Sequence, residues 1–156
     1  MPARTESLRR SGSARAAHPA GKGATRTKLP RRKGAARARL GVVDYTLAKR
    51  SILRQARRGL LTIHDICDAH PELLRAAKHV GEKVSRPCPV CDRSELHLLA
   101  YVYADRLKRD NGRVWAIDKA LALTASVKGG TCYVVEVCTG CSWNHLTEAF
   151  VERSAG

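Results

Sequence analysis

The chain has 156 residues, 29 Lys and Arg against 14 Asp and Glu, and a formal net charge of +15. That length suits one modest domain, and no stretch approaches the run of about 18 apolar residues that a membrane helix needs. Residues 1–40 hold 12 of the Lys and Arg and a single acid, Glu6, leaving 17 basic and 13 acidic residues beyond them, so the charge describes the N-terminal stretch and not a nucleic-acid-binding face on the rest.

Residues 1–41 are rich in Arg, Ala, Gly, Ser and Pro and have no apolar period. Such a segment buries too little surface to offset the entropy of ordering it, and a disordered basic tail is expected. Two readings stay open. The tail is a cationic arm that grips nucleic-acid phosphate through counterion release, or it is translated leader upstream of a true start, since organised sequence begins abruptly at Gly41-Val42-Val43-Asp44-Tyr45. It has no apolar core of a secretory signal. Six cysteines without an export signal point to a reducing, cytoplasmic compartment, where paired thiols bind metal more often than they oxidise.

A helical unit is expected over residues 42–84. Asp44 is a good N-cap, and Tyr45, Ala48, Ile52 and Ala56 share one helical face, which predicts a helix of about 14 residues ending at Gly59. Thr62 caps a short helix around Ile63–Asp68, and Pro71 opens a third that runs to about His79, before Gly81. The trio invites comparison with a helix-turn-helix, yet its last helix offers only Arg75 and Lys78 as contacts, which favours packing over base reading. Arg54, Arg57 and Arg58 are the basic cluster of the folded part. They are candidate nucleic-acid contacts, weighed against an ordinary solvated helix face.

Residues 85–152 carry the clearest signal, Cys88-Pro89-Val90-Cys91 and Cys138-Thr139-Gly140-Cys141. A two-residue spacer lets the chain turn so that both sulfurs converge on one ion, and two such pairs make a tetrahedral Zn2+ site of Cys88, Cys91, Cys138 and Cys141. Such closed shells are structural, with no position left for water or substrate. Ribbons usually separate their pairs by about 15 to 20 residues, whereas 46 residues separate Cys91 from Cys138, so an insertion is required. Glu95–Ala104 reads as a strand, Asp110-Asn111-Gly112 as a turn, Trp115–Ser126 as a helix broken at Gly129-Gly130, Thr131–Cys138 as a strand, and Trp143–Val151 as its returning partner. The expected fold is α+β: an N-terminal helical unit, then a zinc-ribbon-like antiparallel β-sheet with a helical insertion between the Cys pairs, packed together as one domain.

Cys67 is expected as a small buried apolar residue. Cys132 lies on the strand face of Val134, Glu136 and Cys138 and is expected near the metal. His145 is the best competitor for a ligand position, with a supporting or surface role otherwise, while His64, His70, His79 and His97 show no paired nucleophile or metal spacing. Trp143 shields the metal or stacks on a base. No phosphate loop, nucleophile elbow or metalloprotease motif is present, so neither an enzyme nor a small-molecule substrate is expected.

Val43-Asp44-Tyr45, Ile66-Cys67-Asp68-Ala69, Leu73-Leu74-Arg75-Ala76-Ala77-Lys78, the first Cys pair, Tyr133-Val134-Val135-Glu136-Val137-Cys138 and Cys141-Ser142-Trp143-Asn144-His145-Leu146 together resemble a family of small zinc-ribbon-like actinobacterial proteins over residues 42–152. The resemblance implies a bacterial cytoplasmic protein without an assigned activity, and residues 1–41 lie outside it. The reading is a non-enzymatic zinc protein that acts as an accessory binder of nucleic acid or of the transcription or translation machinery. Its rivals are a protein–protein adaptor with purely structural zinc and a thiol redox protein.

Overall fold

The computed structural model describes residues 39–152, Ser94 excepted. The tail expected over residues 1–41 therefore lies outside the described residues as far as residue 38. Its last three positions do not belong to a tail: Arg39–Asp44 form strand β1, which pairs antiparallel with the last strand. The register slips between Leu40 and Val43, and Gly41, at φ 57°, takes the left-handed conformation that such a bulge requires.

The remaining elements are helices α1 (Thr46–Arg57), α2 (Ile63–Ile66) and α3 (Pro71–Val80), strands β2 (Glu82–Lys83) and β3 (Leu96–Tyr103), a 3-10 segment (Asp105–Asp110), strand β4 (Val114–Trp115), helix α4 (Ile117–Ser126), and strands β5 (Thr131–Cys138) and β6 (Asn144–Glu152). The strands make one six-stranded antiparallel sheet in the order β1-β6-β5-β3-β2, with β4 also pairing β3. The fold class is α+β, and the insertion between the Cys pairs supplies β3, β4, α4 and most of β5.

Alternation along the central strands defines two faces. Leu96, Leu98, Ala100 and Val102 of β3 stand opposite Cys138, Glu136, Val134 and Cys132 of β5 on one face, and Leu99 and Tyr101 stand opposite Val135 and Tyr133 on the other. A bulge in β6 at Thr147 keeps His145 opposite Glu136 and Phe150 opposite Cys132. The displaced Thr147 carbonyl accepts the Tyr45 N–H at 3.1 Å, tying the start of α1 to the sheet.

The first three helices do not form a helix-turn-helix. Ile52, Leu53 and Ala56 of α1 pack with Leu96, Cys138 and Trp143, whereas Leu73, Leu74 and Ala77 of α3 pack with Leu99, Val135 and Val137. Helices α1 and α3 thus attach to opposite faces of the sheet, and a recognition helix has no partner helix to brace it. The Asp44 cap is offset by one residue: Asp44 ends β1 and its carboxylate accepts the Thr46 N–H at 2.7 Å, while Tyr45 holds the N-cap position. Thr62 does cap α2, through a reciprocal box with Asp65. Residues 115–116 are not helical, because Trp115 is claimed by the β3–β4 pairing and α4 starts at Ile117.

Candidate metal centre

Each Cys pair sits in a turn with the same backbone wiring. The Asp92 N–H donates to the Cys88 carbonyl and the Cys88 N–H to the Arg93 carbonyl, and the Ser142 N–H and Cys138 N–H repeat this with the Cys138 and Trp143 carbonyls, all at 2.8–3.0 Å. Asp92 and Ser142, the residues after each pair, both have left-handed φ, 59° and 65°. The chain thereby turns back so that both sulfurs of a pair point the same way. One pair leaves β5 directly, and the other is tied to it: the Thr139 N–H donates to the Glu95 carbonyl at 3.1 Å.

The four sulfur atoms of Cys88, Cys91, Cys138 and Cys141 lie within 4.8 Å of one another. Cys88–Cys141 and Cys91–Cys138 are each 3.7 Å apart. A tetrahedron of thiolates with Zn–S near 2.3 Å has an edge of about 3.8 Å, so the donor set fits such an ion. The electrostatics agree. Burial pushes the Cys88 thiol up to about 11 and raises Cys141 further, whereas Cys91 is held down, its smaller burial penalty outweighed by the Arg93 amide and the neighbouring thiols. Four clustered thiols ionise together only against a positive charge. Ile66, Leu96 and Trp143 are buried against the cluster, which closes it to solvent on that side.

Cys67 is not the buried apolar residue expected. It is half-buried at the end of α2, and its sulfur lies 3.9 Å from that of Cys141. The Ala69 N–H donates to the Ser142 carbonyl at 3.0 Å and Asn144 Nδ2 to Asp68 Oδ1 at 2.9 Å, which clamp this segment to the second turn. Cys132 shares the metal face but lies six positions from Cys138, roughly 20 Å at the strand rise. It is fully buried and lies outside the cluster. His145 is no ligand; its ring stacks on Trp143 at 5.7 Å.

Beside the cluster lies a buried charge that the sequence reading passed over. Glu136 is 0% exposed, and its carboxylate is held by Lys49 of α1, by Arg86, and by the Trp143 Nε1–H at 2.8 Å. Burial pushes the Glu136 carboxyl up, but the Lys49 charge and the Arg86 hydrogen bond outweigh it and hold it below its usual range. Burial lowers Lys49 in turn, beyond what the Glu136 charge and hydrogen bond restore, and the Arg86 charge adds a smaller push in the same direction. The lone acid in Val134-Val135-Glu136-Val137 was the available signal, since a charge on an apolar strand face needs partners. The same pairing turns α1: Ala48 is exposed and Lys49 points inward, one position round from the face predicted by apolar spacing.

Trp143 is 1% exposed, so it shields the metal face and presents no ring to a base, and the stacking alternative is withdrawn. Arg54, Arg57 and Arg58 are exposed at the end of α1, with no ion-pair partner among the described residues. Among those residues no helix is long and apolar enough to cross a membrane.

An uncharacterized protein of Mycobacterium bovis and two of Mycobacterium tuberculosis are each 37% identical to this chain over 113 residues, 72% of its length and 82% of theirs. No solved structure matches it. The family of unknown function DUF5318 matches residues 36–155, from the first strand through the second Cys pair and its returning strand, and the chain belongs to that family.

Proposed function

We propose that this protein is a non-catalytic, cytoplasmic binder of nucleic acid, or of a machine that processes it, whose fold is held by a structural Zn2+ ion at Cys88, Cys91, Cys138 and Cys141. The observation that carries the metal assignment is the closed set of four sulfurs at tetrahedral spacing, sheathed by Trp143 and Leu96. A bound ion supplies a cross-link between two turns that are 46 residues apart in the chain. The residues around it then have packing roles: Cys138 ends the central strand, Cys88 anchors the loop after β2, and Ile52 and Leu53 of α1 rest on both. Neither pair opens a helix after a strand, the arrangement expected of a redox Cys-x-x-Cys, so a thiol redox enzyme is the weakest reading.

Exposed Arg54, Arg57 and Arg58, which have no ion-pair partner among the described residues, support the nucleic-acid reading, because such cations can neutralise phosphate. Native mass spectrometry of the intact protein should report one zinc ion per chain. Affinity for short DNA and RNA should fall with salt, and changing the three arginines to Glu should flatten the log–log slope by about 2 to 3. The adaptor reading draws on exposed Leu47, Leu60 and Ile63, which are 76%, 69% and 63% accessible. Absence of nucleic-acid binding at low salt, with one protein recovered in nuclease-treated capture, would replace the first reading by the second.

A further inference from the structure

The sheet face opposite the metal ends in an aromatic groove. α3 covers Leu99, Val135 and Val137, and beside it Tyr101, Tyr103, Tyr133, Val135 and Leu146 line a shallow depression of about 370 Å³. Tyr103 and Tyr133 meet edge to face with centroids 5.6 Å apart, and Tyr103 is 46% exposed. A second depression of about 420 Å³ continues from Tyr101 past Leu73 to Gly112, Arg113 and Val114.

The connection that follows Tyr103 is rich in cations, and its Arg113 lines the second depression together with Glu72 of α3. Arg106, Lys108, Arg109 and Arg113 are exposed there against Asp105 and Asp110. Asp110 is taken by Arg113 at 2.8 Å, while Arg106, Lys108 and Arg109 have no ion-pair partner among the described residues. The loop is held against the tyrosines: the Gly112 N–H donates to the Val102 carbonyl at 2.9 Å, and a Cβ on Gly112, whose φ is 72°, would lie 2.9 Å from the Tyr103 ring. The backbone of a basic loop is thus held next to flat rings on an open sheet.

We infer that this face is a binding platform for single-stranded nucleic acid, with bases stacked on Tyr101, Tyr103 and Tyr133 and phosphates met by Arg106, Lys108 and Arg109 of the adjoining loop. A positively bordered groove with aromatic rings along it is the chemistry that holds unpaired strands without reading sequence. A duplex keeps its bases stacked on each other and offers the rings nothing to cover. The inference rests on the nucleic-acid reading of the protein and adds, to the phosphate contacts of the α1 arginines, a base-stacking surface on the opposite face of the sheet.

The test uses the full chain with zinc bound and compares a fluorescent 12-nucleotide oligo(dT) with an abasic strand of the same length, which has equal phosphates and no bases. The wild type should prefer oligo(dT) by about fivefold or more. The double change Tyr101→Ala and Tyr133→Ala should bring that preference to unity while leaving the salt slope and zinc content unchanged, and the corresponding Phe changes should restore it. Equal affinity of the wild type for the two strands, tighter binding of a duplex, or an oligo(dT) preference that survives the Ala changes would overturn the platform while leaving nucleic-acid binding in place. No binding of either strand at low salt would remove the nucleic-acid reading and the platform with it.

Discussion

The two faces of the sheet are made from alternate residues of the same strands, yet they end differently. On one, Cys138, Glu136 and Leu96 are sealed under α1 and Trp143, where sulfur meets sulfur and the Glu136 carboxylate meets Lys49 and Arg86, while Arg86 Nε and His145 Nδ1 are buried without a hydrogen-bond partner among the described residues. On the other, α3 stops short, and Tyr101, Tyr103 and Tyr133 remain partly accessible. The contrast separates what holds the fold from what is available to a partner. A polar group on the sealed face is costly to disturb, and a ring on the open face is cheap to remove.

That contrast breaks first at the metal. Stripping the ion with a chelator, or changing Cys138 to Ser, should abolish cooperative thermal unfolding, because structural zinc contributes on the order of 10 kcal/mol in small domains; a Cys138→Ser protein that melts like the wild type would deny the metal its role. Next comes the buried carboxylate. Glu136→Leu leaves Lys49 and Arg86 facing an apolar wall and should cost about 3–5 kcal/mol in urea unfolding of the zinc-loaded protein. A neutral result would mean that the two cations swing out to water. Smaller again, Trp143→Phe keeps the ring and deletes the hydrogen bond to Glu136, for a loss of about 2 kcal/mol, and equal midpoints for the two proteins would show that bond to be dispensable. The smallest effects belong to positions that touch the core without sealing it. Tyr103→Ala and Cys67→Ala should each shift stability by roughly 1 kcal/mol, with zinc stoichiometry unchanged. If Cys67→Ala instead weakens zinc retention, the fifth sulfur takes part in binding.

Much of the site was legible because its spacing is local. Each Cys pair encodes its own turn, and β5 reads from Thr131 to Cys138 as it is observed. The helix starts at Thr62 and Pro71 were equally readable, since capping acts within one turn. What escaped depends on contacts between distant segments. Cys67 meets Cys141 across 74 positions, and Glu136 meets Lys49 and Arg86 from two further elements, so none of these pairs has a sequence spacing to betray it. Strand β1 was hidden for a related reason: Arg39 and Leu40 continue a basic, low-complexity run, and only pairing with β6 makes them a strand.

The sequence by itself determined the α+β class, the four clustered cysteines and the insertion between them, because alternation, capping and Cys-x-x-Cys turns are set by neighbours in the chain. Tertiary structure alone decided which face each helix covers, that Trp143 is buried and the tyrosines are open, and that Lys49 turns inward. Those outcomes follow from which surfaces lose water and which charges find partners, and both are properties of the packed molecule.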